Sequence, residues 1–191
     1  MSGMSPFAQL IGVSKIYLAP YGTALPTLDT TPAGAWVELG PTDGDQTITS
    51  EGDMEYWTDN DGNSNVTARR GESTVMATFT LVGLTMENLG RVMHNISNII
   101  TTTSGALAVK EVGLEQSYVP TEYALLIRGD TMSPYGVWPA QTFIPRGIFE
   151  NSVERGTGKT TRAEIECEFS ALRDDAQVAG KKLGWSQAQA S

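Results

Sequence analysis

Carboxylates set at every second residue are the most pointed chemical feature of this sequence. Glu51, Asp53 and Glu55 share one parity of a run that begins at Gln46. Glu164, Glu166 and Glu168 do the same in a later run, and Glu150 and Glu154 in the one before it. Side chains two apart on a strand point the same way, so each run predicts a ribbon with one acidic face. Ile48, Met54 and Tyr56 fill the opposite parity of the first run, and Ala163, Ile165, Cys167, Phe169 and Ala171 that of the last. Keeping the apolar faces together puts Glu150 opposite Glu164 or Glu166, depending on register. Like charges directly opposite one another are destabilising. One reading is that the acids are the solvated side of an antiparallel sheet. The sharper one is that they coat a surface which must not grip something anionic.

Other candidate chemistry reads as ordinary structure. Gly156-Thr157-Gly158-Lys159-Thr160 has the end of a phosphate loop, but Val153 stands where the first glycine belongs, and a strand rather than a helix follows. It reads as a hairpin turn. Asp59, Asp61 and Asn63 resemble the start of a calcium loop, yet Ser64 and Arg70 occupy the glycine and closing glutamate positions, so a full EF-hand is excluded. The single histidine, His94, falls on a helix with no acid–base or ligand partner by spacing. Nothing supplies a Ser/His/Asp or Cys/His set. Asn65-Val66-Thr67 and Asn95-Ile96-Ser97 match glycosylation sequons by chance spacing in a chain with no visible secretory signal. The sequence therefore predicts no catalytic residue, no cofactor and no metal.

Composition narrows the class. The 191 residues suit one domain, and 20 glycines and 9 prolines punctuate them in the manner of many short strands. Thirteen basic against 22 acidic residues leave a net charge of -9, which repels phosphate backbones. One cysteine, Cys167, excludes a disulfide framework. No stretch is apolar enough to span a bilayer.

The elements that would position the acids follow from periodicity. Residues 1–12 read as an arm. Ser14 to Ala19 reads as a strand, Thr23 to Gly34 as a long loop, and Trp36 to Leu39 as a second strand. Gly52 suggests a bulge in the Gln46 strand. The chain returns through Val75, Ala77, Phe79 and Leu81, making a hairpin with an extended polar tip over 58–73. Thr85 is an N-cap, Leu84 and Leu89 fit a staple, and Leu89, Val92, Met93 and Ile96 make a packing stripe on a helix over 85–97. Ile99 to Gly113 is strand or loop. Tyr123, Leu125 and Ile127 alternate as a buried strand, and Val137 to Ile144 reads as another, with Pro139 placing it at an edge or a bulge. A last hairpin runs from Ile148 to Ala171. Domain limits of 13–175 follow, with 176–191 a C-terminal arm that frays from Ser186.

The order of these features resembles the tail tube (major tail) proteins of long, non-contractile-tailed bacteriophages. The likeness is carried by Val13-Ser14-Lys15-Ile16-Tyr17-Leu18-Ala19-Pro20-Tyr21-Gly22-Thr23-Ala24, Pro26, Trp36-Val37-Glu38-Leu39-Gly40, and Phe79 through Gly83-Leu84-Thr85-Met86-Glu87-Asn88-Leu89. The resemblance implies a mainly β fold, a β-sandwich or half-barrel with one flanking α-helix, whose inner strands join those of neighbours into a ring-spanning barrel. It implies a structural virion protein and no enzyme: homohexameric rings that self-assemble into a stacked tube, made in the host cytoplasm and ending in the tail. Tape-measure, tail terminator and baseplate proteins would be its partners, with no membrane among them. DNA would pass through the lumen during genome ejection without specific binding. Glu51, Asp53, Glu55, Glu164, Glu166 and Glu168 are then the expected lumen acids, with Arg162 a departure among them. Asp59, Asp61, Arg69 and Arg70 form the expected ring-stacking loop. The rival reading is a non-enzymatic β-sandwich that binds glycans or decorates a surface, using Trp57 and Trp138.

Overall fold

The computed structural model describes residues 14–58, 65–82, 85–93, 99–104, 106–113, 119–150 and 164–190. They run β1 (Lys15–Pro20), β2 (Val37–Glu38), β3 (Thr42–Thr58), β4 (Asn65–Val82), α1 (Met86–Val92), β5 (Ile100–Ser104), β6 (Leu107–Glu111), β7 (Tyr123–Gly129), β8 (Ala140–Glu150), β9 (Glu164–Ala171) and β10 (Trp185–Ala188). The fold is mainly β, as the periodicity predicts. One large antiparallel sheet has the order β2-β1-β7-β8-β9-β4-β3, with β10 also on β8, while β5 and β6 pair with each other.

One face of the sheet carries the main core. Ile16, Leu18, Leu125, Ile127, Ile144, Phe149, Phe169, Ile165, Phe79 and Leu81 pack there with Leu89, Val92 and Met93 of α1. Residues of β1 and β4, far apart in strand order, share this one cluster, so the sheet curls around it. Its two ends approach near Ser14, whose hydroxyl donates to Gln46 Oε1 at 2.6 Å. The helix starts as its sequence dictates. Thr85 Oγ1 accepts the Asn88 amide, which satisfies one of the bare donors of the first turn. Asn88 is buried because its side-chain amide donates to the Leu39 carbonyl at 2.6 Å.

The other face is half covered. Over β1, β7 and β8 the strap formed by residues 21–36 lies on Tyr17, Ala19, Ala124, Leu126 and Phe143, with Leu25, Trp36 and Trp185 of β10 closing the cluster. That is why β7 is buried at every residue. Arg128 pins the strap. Its guanidinium donates to the carbonyls of Thr27, Leu28 and Thr30 at 3.1, 2.7 and 2.5 Å.

Several expectations change. The strand beginning at Val137 begins instead at Ala140, and Val137 is 81% exposed. It does not stop at Ile144 but runs through Pro145 to Glu150. Proline is tolerated there because β10 pairs β8 up to Phe143 and β9 takes over from Gly147, so little ladder is lost at the hand-over. The tail expected to fray from Ser186 is tied into the sheet: Ser186, Gln187 and Ala188 lie opposite Thr142, Gln141 and Ala140. The ambiguous 99–113 stretch contains the β5–β6 hairpin, linked to α1 by the Lys110–Glu87 ion pair. The hairpin tip contracts, since β3 and β4 remain paired out to Thr58 and Asn65. Residues 59–64 lie outside the described residues, as do Leu84, His94, Asn95, Ile96 and the 151–163 segment with Arg162 and the expected glycine-rich turn.

Candidate functional site

The register of the sheet gathers the acids of separate strands onto one surface. Thr47, Thr78, Glu168 and Glu150 lie in a row across β3, β4, β9 and β8. Period-two alternation then places Glu51, Asp53 and Glu55 of β3 and Glu164 and Glu166 of β9 on that same face. This is the half of the outer face that the strap leaves bare. Glu51, Asp53, Glu55, Glu150, Glu166 and Glu168 are exposed, and Glu164 is half-buried at the end of its strand. The opposite parity of β9 is core: Ile165, Cys167 and Phe169 are enclosed. Burial pushes the Cys167 thiol up to about 12, so it is a packing group and not a nucleophile.

Two details of this face differ from expectation. Glu150 faces Glu168, not Glu164 or Glu166, because β8 and β9 pair Phe149 with Phe169 so that their rings meet at 5.1 Å. Core packing thus fixes the like-charge pair. The second difference concerns the arginines expected in the stacking loop. Both lie in the β4 ladder, Arg69 opposite Glu55 and Arg70 opposite Met54. Arg69 therefore shares the acidic face, and Arg70 the other. The register shifts between Gly52 and Met54, the irregularity Gly52 foretells, although the extra residue belongs to β4. A Cβ at Gly71 would stand 3.7 Å from that of Asp53, which puts this glycine under the acid row. Asp59 and Asp61 lie outside the described residues.

The reverse side of the β3–β4 hairpin is not core at its far end. Toward the tip Met54 and Tyr56 are 44% and 57% exposed, and Ile48, opposite the enclosed Ala77 nearer the base, is 39% exposed, so this side of the ribbon leaves apolar residues bare beside Arg70 while the other side carries the acids. β3 also ends the strand order, and its outer edge runs for 17 residues. Of the expected helix-packing residues, Leu89, Val92 and Met93 are buried in the main core. Among the described residues no group of acids, histidine or cysteine is arranged to hold a metal ion, and no helix is long and apolar enough to cross a membrane.

What the described residues define is a β protein organised around surfaces: an acidic half-face, a two-faced ribbon and a long outer edge. The profile of the family described as phage tail tube protein matches residues 4–183. The chain belongs to that family, and its role is a structural one in the phage tail. No curated protein matches it in sequence. A solved structure that it resembles is the tail of an empty GTA particle obtained by helical refinement with C6 symmetry. The two are 10% identical, with a TM-score of 0.42 over 90% of this chain and 96% of the other.

Proposed function

We propose that this protein forms hexameric rings that stack into the tube of a long non-contractile tail, with the acidic half-face lining a channel for DNA. The observation that carries this reading is the single bare half-face on which Glu51, Asp53, Glu55, Glu166 and Glu168 converge. Duplex DNA carries one negative charge per ~1.7 Å of axis. A basic wall holds such a polymer at many points, whereas an acidic wall repels it and leaves it free to slide. Membership of the tail tube family supports the polymer. So does the outer edge of β3, which pairs with no other strand among the described residues, since an edge of that length invites a neighbour and a head-to-tail contact closes into a ring where the rotation permits.

In this reading the hairpin tip, with Asp59 and Asp61, reaches an adjacent ring, and residues 1–12 serve contacts between subunits, whereas β10 within 176–191 belongs to the subunit's own sheet. Tape-measure protein fills the lumen before DNA does, and terminator and baseplate proteins close the two ends. The protein catalyses no reaction. Electron microscopy of the purified protein tests the proposal: hollow tubes of uniform width are expected. Replacing 59–64 by Asn-Gly, a two-residue turn that keeps the ladder, should leave folded subunits that no longer stack. Monomers that instead bind a glycan array would replace the proposal with the carbohydrate-binding reading.

A further inference from the structure

The start of β3 holds an aspartate carboxylate against the amide of the glycine that follows it. Asp43 lies opposite Thr80, and the next paired residues are Thr47 and Thr78, so Gly44, Asp45 and Gln46 stand outside the β4 ladder. Gly44 has φ +71°, a region open chiefly to glycine, and a Cβ there would meet nothing within 4 Å. Asp43 and Gly44 are both exposed. The Gly44 amide donates to Oδ1 of Asp43, the residue before it, at 3.1 Å. The Asp43 carboxyl group is thereby held against the nitrogen that would attack it, a proximity that favours an intramolecular reaction. No side chain on Gly44 obstructs the approach.

We propose that Asp43–Gly44 is a modification site at which the backbone rearranges spontaneously to an isoaspartyl link. The Gly44 nitrogen bonds to the Asp43 carboxyl carbon. Its proton leaves with the carboxyl hydroxyl as water, and a five-membered cyclic imide forms. Water then adds to the imide carbonyl derived from the main chain, the C–N bond there breaks, and Gly44 remains joined through the former side chain. The sequence is a dehydration followed by a hydration, and water is the only co-reactant. The product has one more main-chain carbon just before the acidic strand, where a slip of one residue would turn every side chain to the other face.

The test is incubation of the full chain in ¹⁸O-water, followed by peptide mapping with mass spectrometry. We expect label at residue 43 and an isomeric peptide of shifted retention, formed in the native protein at least as fast as in the urea-unfolded chain. A slower native rate overturns the proposal, because the folded geometry would then protect the bond. Asp43→Glu keeps the charge but requires a six-membered imide, and its residue 43 should stay unlabelled. Labelling of that variant at the wild-type rate overturns the proposal equally. The chain's other Asp–Gly step, Asp61–Gly62, provides an internal check that the conditions permit the chemistry.

Discussion

At the scale of single residues, the structure turns on a few close approaches. Gly147 is the sharpest. A Cβ there would fall on the Phe169 ring and the Ser170 carbonyl oxygen, at the point where β8 leaves Pro145 and begins to pair with β9. Gly147→Ala must push the two strands apart or displace a ring that is fully enclosed. We expect a loss of about 1–3 kcal/mol, the range for overpacking a filled core, read as a lower urea midpoint with an unchanged slope. An unchanged midpoint would show that β8 and β9 have room to separate there. Arg128 makes the complementary point. A charge within the run Ala124-Leu125-Leu126-Ile127-Arg128 signals a buried cation that requires acceptors. The sequence contains that signal, but it does not say that the acceptors are three carbonyls about a hundred residues away in the strap.

At the scale of elements, what could be read in the sequence divides between local and non-local causes. Thr85 caps α1 and Leu89, Val92 and Met93 face the core, because capping and helical spacing depend on neighbours a turn away. The parity of the acids in β3 and β9 is equally local. The opposition of Glu150 to Glu168 depends on how two phenylalanines meet across strands, and the ordering of Trp185-Ser186-Gln187-Ala188 depends on pairing with β8, so neither follows from spacing. Nor does periodicity say what covers a stripe, which is why Ile48, Met54 and Tyr56 alternate like core and yet lie exposed. The C-terminal segment that leads to β10 is fastened by Asp174, whose carboxylate accepts from the Tyr21 hydroxyl, the Ala176 amide and the Gln177 side chain at 3.0 Å each. Burial pushes this carboxyl up, but those hydrogen bonds outweigh it and hold it below the usual carboxylate range. A group depressed in the folded state stabilises the fold above its unfolded pKa, and that stability is lost as pH falls through the folded value. Asp174→Asn should therefore melt below the wild type at neutral pH, with the gap narrowing as pH drops below about 4, the unperturbed aspartate value. Melting curves across that range decide it, and a gap independent of pH would remove the carboxylate from the account.

At the scale of the whole molecule, the question is which side of the proposed tube the acidic half-face occupies. The subunit leaves two unlike surfaces bare, the acids on one side of the β3–β4 ribbon and Ile48, Met54 and Tyr56 on the other. Water is a good solvent for the first and a poor one for the second, so association should cover the apolar side and leave the charges facing solvent. That logic alone permits either the bore or the exterior of a tube. Charge reversal separates them. Changing Glu51, Asp53, Glu166 and Glu168 to lysine alters exposed positions, and should leave the core and the melting temperature nearly unchanged. If the face lines the bore, tubes of the variant will take up DNA that wild-type tubes exclude, and nuclease will not reach it. Binding should weaken linearly in log K against log salt, as counterion release requires. If nuclease digests the bound DNA completely, the lysines stand on the exterior, and the acids they replace never faced the channel. Full protection in the variant, with no retention by the wild type, would make electrostatic repulsion the property that lets a tube of this protein conduct a polyanion without holding it.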